Sequence, residues 1–96
     1  MSEPFAWNPA KSAELLKRHG VGFADVVIAY SEKRVLSDIP HPSEKFAHQR
    51  MAVVLIGDYV YAVPYVMDGE TRFLKTLFPS RKLQRRFHPG ALNNED

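Results

Sequence analysis

Two short turn signals divide the most apolar part of this chain into three segments of strand length. Gly57-Asp58 separates residues 49–56 from residues 59–66. Asp68-Gly69 then separates the second segment from residues 72–78. An Asp-Gly pair favours a tight hairpin because both residues tolerate positive φ. Two successive hairpins predict an antiparallel meander of three strands.

The second of these segments carries a proline and a row of tyrosines. Pro64 has no N–H to donate, so we expect its strand to lie at a sheet edge or to contain a bulge. Tyr59, Tyr61 and Tyr65 alternate along the segment and therefore face one side of the sheet. Such a row either packs in a core or stacks on RNA bases, and Tyr65 is a candidate RNA contact.

The N-terminal third predicts two helices. Asn8 and Pro9 form a helix start, and Gly20 suits a left-handed C-cap, so we expect a first helix over residues 9–19. A second helix over residues 23–30 is indicated by a spacing that places four side chains on one face. These four residues are Phe23, Val26, Val27 and Tyr30.

Short strands are expected at residues 4–7 and 34–39, and Ser80 can cap a last helix over residues 81–87. The resulting order predicts an α+β fold with an antiparallel sheet, two N-terminal helices and one C-terminal helix, all helices packing on one face. The 96 residues suit a single domain. We expect its core to span residues 4–88 and residues 89–96 to form a polar tail.

Composition excludes several classes of function. The chain has no cysteine, which removes disulfides and thiolate metal sites and agrees with a reducing cytoplasm. Its N-terminus lacks the features of a secretory signal, and its apolar runs are shorter than the roughly 20 residues of a membrane helix. The phosphate-binding glycine motifs, the serine-hydrolase motif and the zinc motif HExxH are absent. We therefore expect a cytoplasmic protein with no metal and no cofactor.

Basic residues are concentrated near the C-terminus. Residues 71–88 contain no acidic residue and six basic ones, namely Arg72, Lys75, Arg81, Lys82, Arg85 and Arg86. The asymmetry indicates an anionic partner, although a solvated face with cations near a helix end would look the same. Lys75 on its strand and Arg81 at the helix start are expected to converge near Pro79-Ser80, where they could hold a phosphate.

The four histidines give no metal-ligand spacing. His19 follows Lys17-Arg18 at the end of the first helix, where it is either a cation favoured by the helix C-terminus or a catalytic candidate. His41 and His48 are interpreted as ordinary surface residues.

The order of these motifs resembles the BrnT-like toxins of bacterial type II toxin–antitoxin systems, within the RelE-like superfamily. The similar pieces are FAWNPAK at residues 5–11, KRHGV at 17–21, FADV at 23–26 and PSRK at 79–82, followed by an arginine-rich helix. The resemblance spans residues 4–88. The chain departs from the pattern in a longer segment at residues 38–50 and in Lys75, where many members have arginine.

The resemblance implies a metal-independent endoribonuclease, a hydrolase that cleaves RNA and is neutralised by a cognate antitoxin, a small DNA-binding protein. Carried over to this sequence, the catalytic candidates are Lys75, Arg81, Lys82 and His19, where either His19 or Lys11 would be the general base. Further RNA-binding candidates are Arg72, Arg85, Arg86 and Tyr65. The RNA's own 2′-hydroxyl would act as nucleophile while the protein positions the phosphate and neutralises its charge. Dependence on the ribosome stays open.

Two other classes of function remain. The basic face could bind RNA, DNA or an acidic protein without catalysis, or it could be a solvated face of a purely structural domain. Salt-sensitive RNA binding would exclude the last, because phosphate contacts release counterions.

Overall fold

In the computed structural model, which describes residues 4–88, the elements follow the predicted order with one additional strand. The helices are α1 (Pro9–His19), α2 (Phe23–Ser31) and α3 (Arg81–Phe87). The strands are β1 (Phe5–Ala6), β2 (Val35–Pro40), β3 (Arg50–Ile56), β4 (Tyr59–Asp68), β5 (Thr71–Leu74) and β6 (Phe78–Pro79). The predicted tail at 89–96 lies outside the described residues. No helix within residues 4–88 is long and apolar enough to cross a membrane.

The strands form one mixed, mostly antiparallel sheet in the order β1-β5-β4-β3-β2, with β6 also pairing with β4. β1 runs parallel to β5, and all other pairs are antiparallel. The predicted meander is confirmed in β3, β4 and β5. Its first turn is Gly57-Asp58 as predicted, whereas its second is Gly69-Glu70, one residue later, with Gly69 at φ +63°.

Helix boundaries follow their caps. The Asn8 side chain accepts hydrogen bonds from the N–H groups of Ala10 and Lys11, at 2.8 and 3.2 Å. Gly20 ends α1 in the left-handed region at φ +79°. The Ser80 hydroxyl accepts the N–H of Leu83 at 3.2 Å. The predicted starts and ends of α1 and α3 are therefore confirmed.

The expected third strand at residues 72–78 is wrong as one continuous element. It divides into β5 and β6, because Leu74 and Leu77 are both buried in the same core cluster. Strand residues three positions apart face opposite sides of a sheet. The chain must therefore leave the strand between these leucines in order to bury both on one side.

Pro64 lies in an interior strand, so the expected edge position of β4 is wrong. The carbonyl of Pro64 accepts the N–H of Lys75 at 2.9 Å. Lys75 lies in the interruption between β5 and β6, both of which pair with β4. The N–H and C=O of one residue in an antiparallel strand point the same way. The proline nitrogen therefore faces the gap between β5 and β6, where the ladder needs no donor.

Helices cover both faces of the sheet, which corrects the expectation of one. α1 and α2 pack on what we call the front face, against a buried cluster that includes Val54, Val63 and Tyr65. α3 packs on the back face, where Leu83 joins a second cluster. The sheet residues of that second cluster are Met51, Val53, Val60 and Ala62. The basic helix and the two N-terminal helices are thus separated by the sheet.

Candidate nucleic-acid interface

Lys75 lies directly after β5, on the back face of the sheet. It shares this face with Phe73, and the Lys75 ammonium lies 5.3 Å from the centre of the Phe73 ring. Its backbone N–H is held by the carbonyl of Pro64 at 2.9 Å. The side chain is exposed. The backbone of Lys75 is therefore fixed, and its side chain presents a cation to solvent.

An open cleft of about 260 Å³ lies beside Lys75. The other lining residues are His41, Phe46, Gln49, Pro64, Thr76 and Phe78. Pro64 faces the same side as Val60 and Ala62, the β4 residues in the cluster under α3. The cleft therefore occupies the part of the back face beyond the area that α3 covers.

The far wall of the cleft is formed by the connection between β2 and β3. The backbone N–H of His41 donates to the carbonyl of Gln49 at 3.2 Å, and that of Gln49 donates to Phe46 at 2.8 Å. A 3-10 turn at Glu44–Phe46, capped by the Ser43 hydroxyl, lies between them. This connection brings His41 and Gln49 to the cleft of Lys75.

His41 has a defined orientation. Its Nδ1 accepts the backbone N–H of Ser43 at 3.1 Å, and its ring lies 5.1 Å from that of Phe46. A ring nitrogen that accepts a hydrogen bond carries no proton, so the neutral ring holds its proton on Nε2. His41 can therefore donate a hydrogen bond from Nε2. The interpretation of His41 as an ordinary surface residue missed this, although the prolines on both sides were a signal of a restricted backbone.

In the part of the chain that the structure describes, the exposed cations of α3 have no carboxylate partners. The four ion pairs within residues 4–88 involve other basic residues, namely Lys11, Arg18, Arg34 and Arg50. Arg81, Lys82, Arg85 and Arg86 are all exposed, as is Lys75. We call these five residues the basic surface. It is open to an anionic ligand.

α3 is held to the sheet by a buried glutamine. Gln84 is 1% exposed, and its Oε1 accepts the N–H of Val60 at 2.7 Å. Its Nε2 donates to the carbonyl of Asp58 at 3.4 Å. Leu83 and Phe87 pack beside it on the back-face cluster. The basic helix is therefore fixed relative to the hairpin of β3 and β4.

The expected convergence of Lys75 and Arg81 at Pro79-Ser80 is not observed. Lys75 is anchored to β4 at Pro64, whereas Ser80 donates its N–H to Val60 at 3.1 Å. These anchor points are separated by about 13 Å, from a rise of about 3.3 Å per strand residue. Lys75 and Arg81 therefore mark two separate points on the back face.

Arg72 and Tyr65 lie on the front face of the sheet, unlike the RNA-binding candidates of α3. The Arg72 guanidinium lies over the rings of Tyr65 and Tyr30, at 4.8 and 4.9 Å, on the front face. Tyr65 is only 3% exposed and donates its hydroxyl to the carboxylate of Asp38. Burial, followed by this hydrogen bond, raises the pKa of Tyr65. The structure shows packing contacts for both residues, and the tyrosine row packs against the front-face core, whereas their RNA-binding roles stay a prediction.

His19 does not share a site with Lys75. It ends α1, which packs on the front face through Leu15, whereas Lys75 projects from the back face. Within residues 4–88 there is no cluster of three or more His, Asp or Glu residues that could hold a metal ion. In comparisons with known proteins, no family model matches the chain and no curated protein is significantly similar to it.

Proposed function

We propose that this chain is an endoribonuclease with a RelE-like fold, acting as the toxin of a type II toxin–antitoxin system. The observation that carries the proposal is the cleft lined by Lys75 and His41, on the same face of the sheet as the α3 cations, which have no carboxylate partner within residues 4–88. The resemblance of residues 4–88 to BrnT-like toxins supports the same activity. Its departures fall on residues 38–50 and on Lys75, the two sides of that cleft.

The proposed reaction uses the RNA's own nucleophile. The 2′-hydroxyl gives its proton to water and attacks the adjacent phosphorus. The bond to the 5′-oxygen of the next nucleotide breaks, that oxygen takes up a proton from water, and a 2′,3′-cyclic phosphate forms. The Lys75 ammonium neutralises charge on the phosphate oxygens, and His41 donates a hydrogen bond from Nε2. The cations of α3 bind the RNA backbone where it continues from the cleft along the back face.

The proposed partners are RNA and a cognate antitoxin, a small DNA-binding protein that would cover the basic surface. A second candidate function, binding RNA without cleaving it, is favoured by the same unpaired cations. Cleavage products separate the two.

The test is incubation of the purified chain with end-labelled RNA in excess EDTA, with and without translating ribosomes. We expect cleavage to cyclic-phosphate ends, and a loss of at least about 100-fold in Lys75→Ala, because one electrostatic donor is removed. Lys17→Ala is the matched control, since it removes an exposed lysine from α1 on the opposite side of the sheet. Equal losses in both variants would place the site elsewhere. Salt-sensitive binding without cleavage in either arm would favour the non-catalytic function.

A further inference from the structure

The cleft has aromatic walls that are left open to solvent. Phe46 and Phe78 are 41% and 40% exposed, among the largest exposed hydrophobic side chains of residues 4–88, and both line the cleft. Both are held in place by the fold. Phe78 belongs to β6 and pairs with Ala62, whereas the ring of Phe46 contacts that of His41. Two fixed, exposed rings at one cleft indicate a ligand with a flat apolar face.

A carboxamide in the same cleft is open to solvent and has no hydrogen-bond partner within residues 4–88. Gln49 is only 8% exposed, and no hydrogen bond to its carboxamide is found within residues 4–88, although its backbone is fully engaged. The other buried glutamine, Gln84, has both ends of its carboxamide satisfied. The Gln49 carboxamide lines the cleft on a fixed backbone and is available to a polar ligand. A carboxamide offers both donors and an acceptor.

The size and charge of the cleft further restrict the class of ligand that it can bind. Its volume of about 260 Å³ lies below the roughly 300–1,000 Å³ of pockets for drug-sized molecules, which suits a single ring system. Among the described residues no carboxylate lines it, and Lys75 supplies a cation. An RNA base has a flat face for stacking and an edge with donors and acceptors, and it is joined to a phosphate.

We propose that the cleft binds one unstacked base of single-stranded RNA, stacked between Phe46 and Phe78 and hydrogen-bonded by Gln49, with the adjoining phosphate on Lys75. This inference rests on the proposed function and deepens it. The cleft makes the enzyme select its cleavage position by a base rather than by backbone charge alone.

The test measures binding without cleavage. The probes are fluorescein-labelled 2′-O-methyl oligonucleotides, which lack the nucleophilic hydroxyl. One set carries a single A, C, G or U among abasic residues, and a matched probe is abasic throughout. Fluorescence anisotropy at fixed ionic strength gives the Kd of each. We expect at least one base to tighten binding to the parent chain by about 5- to 150-fold.

Variants of the cleft residues test whether this gain in affinity comes from the cleft. Phe78→Ala and Gln49→Leu should reduce the affinity for the base-bearing probe to that for the abasic probe, whereas Phe78→Tyr should keep the gain. Met67→Ala is the control, because Met67 is an exposed β4 residue that does not line the cleft. Thermal unfolding of each variant confirms that it is folded.

Three outcomes would overturn the inference. The parent could show no gain from any base, or Phe78→Ala could weaken both kinds of probe equally. If an acidic peptide binds the cleft and no base increases the affinity of the probe, the ligand of the cleft is a protein partner. The proposed function is tested separately, by the cleavage assay. It fails if unmodified RNA stays intact with and without ribosomes, and this result does not depend on whether a base tightens binding.

Discussion

At the scale of single residues, Gln84 shows how one polar side chain fixes the basic helix. It is buried, and it satisfies the backbone N–H of Val60 at 2.7 Å. Replacing it with leucine keeps most of the volume but leaves that N–H without a partner. A buried unsatisfied donor costs about 1–3 kcal/mol. We therefore expect Gln84→Leu to lower the free energy of unfolding by that amount, as measured by urea denaturation.

The neighbouring Arg85→Ala is the matched control for this variant, because Arg85 is exposed on the same helix. Its free energy of unfolding should stay within about 0.5 kcal/mol of the parent value. A Gln84→Leu variant with the parent's midpoint would show that the N–H of Val60 finds another partner.

At the scale of elements, the end of α1 depends on the backbone of Gly20. The residue has φ +79°, and a Cβ added there would meet nothing within 4 Å. A loss of stability in Gly20→Ala would therefore come from the left-handed conformation alone, at about 1–2 kcal/mol. Gly20→Asn should lose less, since asparagine tolerates this conformation. Equal thermal unfolding curves for parent and Gly20→Ala would show that the helix can end differently.

Elements also decide where the cleft forms. β5 stops at Leu74 because Leu77 must reach the same front-face cluster, and the chain rejoins the sheet only at β6. Lys75 and Thr76 fall in this interruption and are therefore free to line the cleft. A continuous strand would have placed them within a regular ladder.

At the scale of the whole molecule, stability should fall in alkaline solution. Burial, as the main cause, raises the pKa of both Tyr61 and Tyr65 above the ordinary value of 10.0. Above pH 10 the unfolded chain loses these protons while the folded chain still retains them. The folded state binds more protons there, so the free energy of unfolding falls as pH rises above about 10 and is unaffected by these groups below it.

The measurement is urea denaturation across this range of pH, with tyrosine ionisation followed by ultraviolet absorbance. Tyr65→Phe removes one of the two groups and should flatten the decline. An unchanged slope in Tyr65→Phe would mean that Tyr65 ionises in the folded state as it does in the unfolded chain.

The sequence by itself determined the features that depend on neighbouring residues. Asn8 and Gly20 delimit α1, and Gly57 marks the first hairpin of the meander. Each of these boundaries depends on one residue, whose side chain caps the helix or whose backbone adopts the conformation of the turn. The basic composition of residues 71–88 was equally readable, as was the position of α3.

Only the tertiary structure decided which residues share a site. Arg72 and Lys75 are close in sequence, yet Arg72 packs against aromatic rings on the front face and Lys75 is exposed on the back face. His41 and Gln49 reach Lys75 because β2, β3 and β4 are paired side by side. The physical reason is that burial and proximity depend on contacts between segments far apart in the chain, which no local pattern of residues specifies.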